Sequence, residues 1–278
     1  MRVPAISSDS QMISLIGFDQ LLPIAKALGL STSDPHGTLQ LEQVIVDLMK
    51  RYSQYASGVV LSSEIGYRSI LQKAETAGPV FCLERRLIDP DPLTVPLLLN
   101  NWNVETVRQN YGLAKLELFY HPHESEAPTK RQMVAEIYDY CQNQGIDFLL
   151  ELVIYIEATE AEYKNTFQQI QLEAIQDLRN FCNVMALEYP LDALGAVTVT
   201  AELDTPWILS GRDSQYDEFK ENVRTALESG AKGFLATTQF LPEFQKDTFN
   251  PDEFSKFVQT FGKDRVIEMT RIVEEAAD

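Results

Sequence analysis

The sequence predicts an α/β protein built as a single (β/α)8 barrel, the TIM-barrel fold. Eight short apolar runs are distributed along the 278 residues, each followed by a helix or a helix-sized segment. The runs are continuously apolar rather than alternating, which is typical of parallel strands buried on both faces. Because no linker, short repeat or low-complexity tract separates them, we predict one domain over residues 1–278. A doubly wound open sheet is the alternative fold.

The predicted strands cover residues 13–18, 58–62, 79–84, 112–120, 147–155, 183–190, 206–210 and 233–237. The predicted helices cover 21–28, 41–55, 67–78, 104–110, 130–143, 160–181 and 215–229, with two closing helices within 252–277. In 41–55, apolar residues recur at the i, i+3, i+4 spacing of a helix. Asn103 is a predicted N-cap, and Gly29, Gly145 and Gly230 follow helix ends. The Pro-rich segment 85–102 is predicted to be a long loop, and the stretch from the sixth strand to 203 to be helical or irregular.

The composition is strongly acidic, with 23 Lys and Arg against 41 Asp and Glu and a formal net charge of −18. Nucleic acids and anionic membranes require clustered basic residues, so we predict neither as a partner. A phosphate ligand would need a local positive site. No apolar run approaches the roughly 20 residues of a membrane-spanning helix, and no secretory signal is present, so we expect a cytoplasmic protein. Homo-oligomerisation stays open.

The three cysteines, Cys82, Cys141 and Cys182, are far apart in sequence and lack metal-ligand spacing. We expect buried, reduced thiols. The His121-Pro122-His123-Glu124 segment resembles a metal motif, but the other histidine, His36, is distant, and an exposed polar loop is the better interpretation. No Gly-rich nucleotide loop or CxxC motif occurs. We therefore predict neither a cofactor nor a metal.

Polar residues gather at the predicted carboxyl ends of the strands, where barrels of this kind carry their functional groups. They are Asp19, Gln20, Ser62, Ser63, Glu64, Glu84, Arg85, Arg86, Lys115, Glu117, Tyr120, His121, Glu151, Tyr155, Glu188, Ser210, Gly211, Arg212, Thr237 and Thr238. Alternation along the fourth strand puts Lys115 and Glu117 on one face, so both are expected to point into the barrel near Glu151. For Arg85 and Arg86 we expect pairing with the acidic surface rather than contact with a ligand.

Lys115 stands in an otherwise apolar strand, and two interpretations follow. Burial lowers the pKa of an ammonium towards the neutral amine that attacks carbonyl carbons, whereas nearby carboxylates act in the opposite direction. In the first interpretation, Lys115 is a nucleophile or a binding cation. The alternative is a structural ion pair with Glu117 or Glu151, and the sequence leaves both open.

The segments 210–212 and 237–238 are a candidate phosphate site, because loops after the seventh and eighth strands often bind phosphate in this fold. The alternative is an ordinary strand-to-helix turn.

The chain resembles the class I aldolases of the tagatose-1,6-bisphosphate aldolase type, in the wider group that includes deoxyribose-phosphate aldolase. The resemblance covers most of the chain. It is carried by Ile16-Gly17-Phe18-Asp19-Gln20, Ser63-Glu64-Ile65-Gly66, Trp102, Ala114-Lys115-Leu116-Glu117-Leu118-Phe119-Tyr120, Phe148-Leu149-Leu150-Glu151-Leu152-Val153-Ile154-Tyr155, Leu187-Glu188-Tyr189-Pro190 and Pro206-Trp207-Ile208-Leu209-Ser210. It implies a barrel and a phosphorylated sugar as the substrate class.

The resemblance also implies roles for individual residues. Asp19 and Gln20 match substrate-binding positions, Lys115 an accessory lysine, and Glu151 the glutamate that transfers a proton. Glu188 matches the glutamate of the family's Lys-x-Glu-x-Pro pattern on the sixth strand.

The chain departs from the family on the sixth strand and in the turns after the seventh and eighth strands. The Schiff-base lysine of that pattern is Ala186 here. The family's Ser-Ala-Gly turn after the seventh strand reads Ser210-Gly211-Arg212, and its Gly-Arg after the eighth strand reads Thr237-Thr238, without the arginine.

These departures leave three hypotheses. The first is an aldolase-type carbon–carbon lyase that forms its Schiff base at Lys115, the remaining strand lysine. The second is a catalytically inactive barrel that binds a sugar phosphate or a protein. The third is a different enzyme on the same scaffold, because a fold does not determine its reaction.

Overall fold

Eight parallel strands pair in chain order, and the first pairs with the last to close a barrel. The structure, a computed structural model, describes residues 3–65, 67–100, 103–155, 160–212, 214–241 and 250–277. The predicted (β/α)8 barrel is therefore confirmed. Gly66 and Trp102, which contributed to the resemblance, lie outside the described residues.

The strands are β1 Ile13–Gly17, β2 Gly58–Ser62, β3 Gly78–Cys82, β4 Leu113–Tyr120, β5 Phe148–Ile154, β6 Val184–Leu187, β7 Trp207–Ser210 and β8 Gly233–Ala236. Most are shorter than predicted at the carboxyl end. Glu84, predicted to lie in the third strand, pairs antiparallel with Leu98 instead. The polar residues that follow the apolar runs thus leave the sheet and line the barrel mouth.

The helices are α1 Leu21–Ala27, α2 Pro35–Tyr52, α3 Val104–Gln109, α4 Ala127–Gln144, α5 Glu160–Leu178, α6 Ala193–Glu202, α7 Tyr216–Glu228, α8 Pro251–Phe257 and α9 Lys263–Glu275. A 3-10 helix, Tyr67–Gln72, follows β2, and a π-helical segment, Val258–Gly262, joins α8 to α9. The helix predicted at 41–55 begins at Pro35, because the Asp34 side chain accepts hydrogen bonds from two backbone N–H groups of its first turn.

The apolar core has two parts. The larger one lies between the strands and the surrounding helices, and the smaller one fills the barrel interior. Leu149, Val184, Ala186, Ile208 and Leu235 belong to the interior part. Because these aliphatic side chains fill the barrel towards its amino end, the inward-pointing charged residues are confined to the carboxyl end.

The long loop after β3 folds back over that end. The backbone N–H of Arg85 donates to the Leu97 carbonyl at 2.8 Å, and the N–H of Leu99 donates to the Leu83 carbonyl at 2.9 Å. The buried Lys130 of α4 fastens the loop from the other side, since its Nζ donates to the Pro92 carbonyl at 2.7 Å. The loop therefore forms a fixed wall over the barrel mouth.

Two further expectations concern the whole chain. Cys82, Cys141 and Cys182 are buried and form no disulfide, as expected. Within the described residues, none of the helices is both long and apolar enough to cross a lipid bilayer.

Candidate functional site

Lys115 lies at the centre of a buried charge network at the carboxyl end of the barrel. Its side chain is fully enclosed, and its Nζ lies 2.6 Å from Glu151 Oε2 and 3.0 Å from Asp19 Oδ2. The ion pair predicted with Glu151 is present. The alternative pairing with Glu117 is wrong, because Glu117 is turned towards two arginines.

The environment of Lys115 favours its charged form. Burial by itself lowers the pKa of the ammonium, but the surrounding groups, led by Asp19 and including Cys82 and Glu151, outweigh burial and hold the pKa well above its usual value. Burial thus does not move Lys115 towards the neutral amine. In this arrangement Lys115 is an ammonium ion that neutralises carboxylates.

Asp19 follows β1 and contacts both Lys115 and Arg86, so it connects these two cations of the network. Its Oδ2 accepts hydrogen bonds from Lys115 Nζ, from Arg86 Nη2 at 2.8 Å and from the Cys82 thiol at 3.2 Å. Burial raises the pKa of this carboxyl group, but Lys115 and Arg86 more than offset burial, and the net shift is downward. Gly17 leaves the space that Asp19 needs, because a Cβ at this position would lie 2.8 Å from Asp19 Oδ1.

The predicted surface position of Arg86 is wrong. Instead of pairing at the surface, it is buried, with Nη2 2.8 Å from both Asp19 and Glu84 and Nη1 2.9 Å from Glu117. Arg85 does extend outwards, where it lies 3.5 Å from Glu64. The position of Arg86 two residues after an acidic residue at a strand end was the available signal.

Glu117 receives the second arginine and a predicted ligand residue. Its Oε2 accepts a hydrogen bond from Gln20 Nε2 at 2.8 Å and lies 3.4 Å from Arg212 Nη1. The Arg212 guanidinium also stacks over the Phe119 ring, 5.2 Å from its centre. Burial raises the pKa of Glu117, but Arg86 and Arg212 dominate and shift it far below its usual value. Glu117 is therefore a carboxylate held by two arginine cations and the Gln20 amide.

A cavity of about 390 Å³ lies directly above this network. Its floor contains Asp19, Gln20, Glu84, Arg86, Glu117 and Arg212. Its walls are more apolar and come from the start of α1, from Phe119 and from the loop after β3. A volume of this size suits a small molecule. Lys115 and Glu151 do not line the cavity, since they lie below its floor.

The remaining predicted residues divide into two groups. Ser210 belongs to the network, because its Oγ donates to Glu151 Oε1 at 2.6 Å. Glu188 does not join it, since its carboxylate accepts from the Ile154 backbone N–H at 2.8 Å. Ala186 is fully buried and adjacent to Glu151 in the strand register, so a methyl group faces the interior there.

The candidate phosphate turn is occupied by a side chain of the protein itself. The buried carboxamide of Gln239 accepts from the Thr237 N–H at 2.9 Å and donates to the carbonyls of Arg212 at 2.9 Å and Ser214 at 3.0 Å. A Cβ on Gly211 would lie 2.7 Å from this carboxamide, so glycine permits its close approach. Neither Gly211 nor Thr237 lines the cavity. Gln239 was not among the predicted site residues, because only the folded turn brings its side chain to these partners.

The histidine segment lies at the surface beside α5. The side chain of His123 is 71% exposed, with its Nε2 2.8 Å from Glu173. Across the described residues, no group of three or more His, Cys, Asp or Glu side chains has a geometry that could hold a metal ion.

Comparison with known proteins gives relatives of one kind. The chain is 21% identical over 257 residues to tagatose 1,6-diphosphate aldolase 2 of Streptococcus mutans, covering 82% of this chain and 78% of the relative. It is also 21% identical over 260 residues to tagatose 1,6-diphosphate aldolase of Staphylococcus aureus, covering 83% and 80%. No family model matches the chain.

Solved structures agree on the fold. An archaeal fructose-1,6-bisphosphate aldolase, whose catalytic lysine is covalently bound to the carbinolamine intermediate of the substrate, superposes with a TM-score of 0.66 at 13% identity, covering 96% of each chain. A protein from Corynebacterium glutamicum superposes with a TM-score of 0.69 at 13% identity, covering 97% of this chain and 88% of that one. The chain shares the (β/α)8 barrel fold of these structures. At these identities the structural likeness establishes the fold alone.

Proposed function

We propose that this chain is an aldolase-type barrel that binds a phosphorylated sugar in the cavity at the barrel mouth, without forming a Schiff base. The observation that carries the proposal is the state of Lys115, which is fully enclosed and ion-paired with Asp19 and Glu151. The sugar-phosphate class comes from the aldolase relatives, and the cavity supplies a site of suitable size.

Schiff-base formation needs a neutral amine that reaches a carbonyl carbon. Position 186 offers only a methyl group. Lys115 has an amine, but its pKa is raised, after burial is offset, by the surrounding negative charge, and the cavity floor separates it from a ligand. Both lysine-dependent routes are therefore disfavoured in this arrangement.

Binding needs less. The carboxylates of Asp19 and Glu117 accept hydrogen bonds from sugar hydroxyls, and the Gln20 amide both donates and accepts. Arg212 brings a cation to the cavity edge, where it can meet a phosphate group against the negative charge of the whole chain. These contacts support a polyhydroxylated ligand with a single phosphate near Arg212.

An aldolase-type lyase that uses Lys115 is the second candidate. Lys115 is the only lysine in β1–β8, and Glu151 lies 2.6 Å from its Nζ. Transfer of one proton from Nζ to Glu151 would give the neutral amine, whose attack on a ketone would form a carbinolamine. Return of that proton from Glu151 to the carbinolamine hydroxyl would let it leave as water and form the iminium. This candidate requires the lysine to leave Asp19 and cross the floor.

One experiment separates the two candidates. The wild-type protein is titrated with dihydroxyacetone phosphate by calorimetry, then treated with borohydride in the presence of the same compound and mapped by mass spectrometry. We expect saturable binding and no covalent adduct. An adduct on Lys115 would establish the lyase candidate, and the absence of both binding and adduct would sink the two together.

A further inference from the structure

We propose that Glu84 is a ligand-contacting residue whose carboxyl group donates a hydrogen bond to a carbonyl oxygen of the molecule in the mouth cavity. The proposal rests on the proposed binding function and narrows its ligand to a sugar phosphate that presents a carbonyl group. Neither the strand pattern nor the aldolase resemblance assigns Glu84 a role.

Glu84 is buried and unsatisfied. It follows β3, is 4% exposed and lines the cavity. Its Oε1 lies 2.8 Å from Arg86 Nη2, without the alignment of a hydrogen bond, and its Oε2 has no hydrogen-bond partner among the described residues. Buried polar atoms are rarely left without partners, so an unpartnered oxygen at a cavity wall indicates a place for a ligand atom.

The charges around Glu84 are already balanced without it. The cations are Lys115, Arg86 and Arg212, and the other three carboxylates are Asp19, Glu117 and Glu151. Each of these carboxylates has a closer or better aligned cationic partner than Glu84 has. A fourth negative charge would be buried without compensation.

The surroundings of Glu84 shift its titration towards the protonated form. Burial raises the pKa of its carboxyl group, Glu117 raises it further, and Arg86 and Lys115 oppose these effects without reversing them. The other charged groups that line this cavity are Asp19, Arg85, Asp89, Asp91 and Arg212, and the Cys82 thiol lies beside Asp19. A neutral carboxylic acid is a hydrogen-bond donor, whereas a carboxylate would only accept and would repel a carbonyl oxygen.

The first test needs no ligand. Infrared difference spectra at pH 7 between wild type and Glu84→Gln are expected to contain the C=O stretch of a protonated carboxylic acid, which shifts in D2O. The matched control, Glu221→Gln on the exposed face of α7, is expected to lack that band. If the Glu84 difference spectrum contains only carboxylate bands, the proposal is overturned.

The second test measures binding of dihydroxyacetone phosphate by calorimetry. Glu84→Gln keeps an N–H donor at this position, and its affinity should stay within about threefold of wild type. Glu84→Leu removes the donor and should lose about tenfold or more, the ratio that one hydrogen bond of roughly 1.4 kcal/mol gives. Wild-type affinity should fall as the pH rises through the pKa of Glu84, and Glu84→Gln should lack that dependence.

The outcomes distinguish this inference from the function on which it rests. Wild-type protein that binds neither dihydroxyacetone phosphate nor dihydroxyacetone overturns both. Binding that is equal in wild type and Glu84→Leu overturns the role of Glu84 alone. Thermal unfolding checks that Glu84→Leu is folded, and Glu84→Gln, which preserves shape, serves as the second variant if it is not.

Discussion

The Nζ of Lys115 lies 2.6 Å from Glu151 Oε2, beneath a cavity that neither residue lines. The network therefore has two levels. Lys115, Glu151 and Ser210 form a closed lower level, and Arg86 and Glu117 form an upper level that reaches the ligand cavity. Asp19 connects the two, since it pairs with both cations. The lower level is enclosed within the barrel, and the upper level lines the cavity.

Removal of the Lys115 charge tests the structural role of the lower level. Lys115→Met leaves Asp19 and Glu151 buried without their shared cation, so we expect a loss of about 3–5 kcal/mol in the free energy of unfolding. Urea denaturation followed by circular dichroism measures it. Lys50→Met, at an exposed position of α2, is the control and should change stability by less than about 0.5 kcal/mol.

A double variant refines this prediction. In Lys115→Met, Asp19 still pairs with Arg86, whereas Glu151 loses its ion-pair partner. Adding Glu151→Gln removes that buried charge and should recover part of the lost stability. If Lys115→Met is as stable as wild type, the ion pair is not a stabilising element, and the lysine has been retained for another reason.

The loop wall depends on Lys130. Its Nζ donates to the carbonyls of Pro92 at 2.7 Å and Phe119 at 2.9 Å, and to Glu124 at 2.9 Å. Lys130→Met removes all three bonds, so we expect faster hydrogen exchange in residues 88–97 and weaker binding of dihydroxyacetone phosphate. Hydrogen exchange followed by mass spectrometry measures the opening of the loop, and calorimetry measures the binding.

The control for this variant is Lys256→Met, at an exposed position of α8. It should leave exchange in the loop unchanged. Unaltered loop exchange in Lys130→Met would show that the backbone pairing of Arg85 with Leu97 holds the wall without the lysine.

Sequence periodicity was sufficient for the barrel and insufficient for the site. The apolar runs identified eight strands because burial on both faces leaves an unmistakable pattern. The start of α2 was misplaced by six residues, since Asp34 and Pro35 signal a helix start while the apolar spacing begins only at Leu41. Local signals of this kind were in the sequence.

Contacts between residues far apart in the chain could not be predicted from such local signals. Lys115 was expected to pair with residues on its own or the neighbouring strand, yet Asp19, 96 positions away, is one of its partners. Arg86 was assigned to the surface because acidic residues are abundant there, and only the fold-back of the loop buries it. The resemblance brought Asp19 and Lys115 into one site, but it contained no information on Gln239.

Gln239 provides a direct test of the phosphate turn. Gln239→Ala removes the carboxamide that accepts from the Thr237 N–H and leaves space beside Gly211. We expect it to lose about 1–3 kcal/mol of stability, as buried donors and acceptors lose their partners. We also expect a rise in melting temperature on addition of inorganic phosphate that wild type lacks.

Gln259→Ala, at an exposed position of the π-helical segment, is the control and should behave as wild type with phosphate. A folded Gln239→Ala protein that gains nothing from phosphate would mean that the turn is an ordinary strand-to-helix connection. Dihydroxyacetone phosphate can be tested in the same assay.

Placing a lysine at position 186 of the sixth strand tests the proposed absence of Schiff-base formation. In the register of the sheet, position 186 lies between Glu151 and Ile208 and faces the filled interior. Ala186→Lys should therefore cost about 1–3 kcal/mol through overpacking. Its ammonium would share Glu151 with Lys115, and two adjacent positive charges lower each other's pKa, which increases the neutral amine.

We accordingly expect Ala186→Lys, unlike wild type, to form a borohydride-stable adduct with dihydroxyacetone phosphate at residue 186. Mass spectrometry of the digested protein locates the adduct. Ala186→Met has similar length but no amine, so it isolates the packing cost and should remain unlabelled. If Ala186→Lys is folded, binds the compound and yields no adduct, then the floor formed by Asp19 and Arg86 keeps the carbonyl away from the sixth strand, and a lysine at position 186 is not sufficient for Schiff-base chemistry in this barrel.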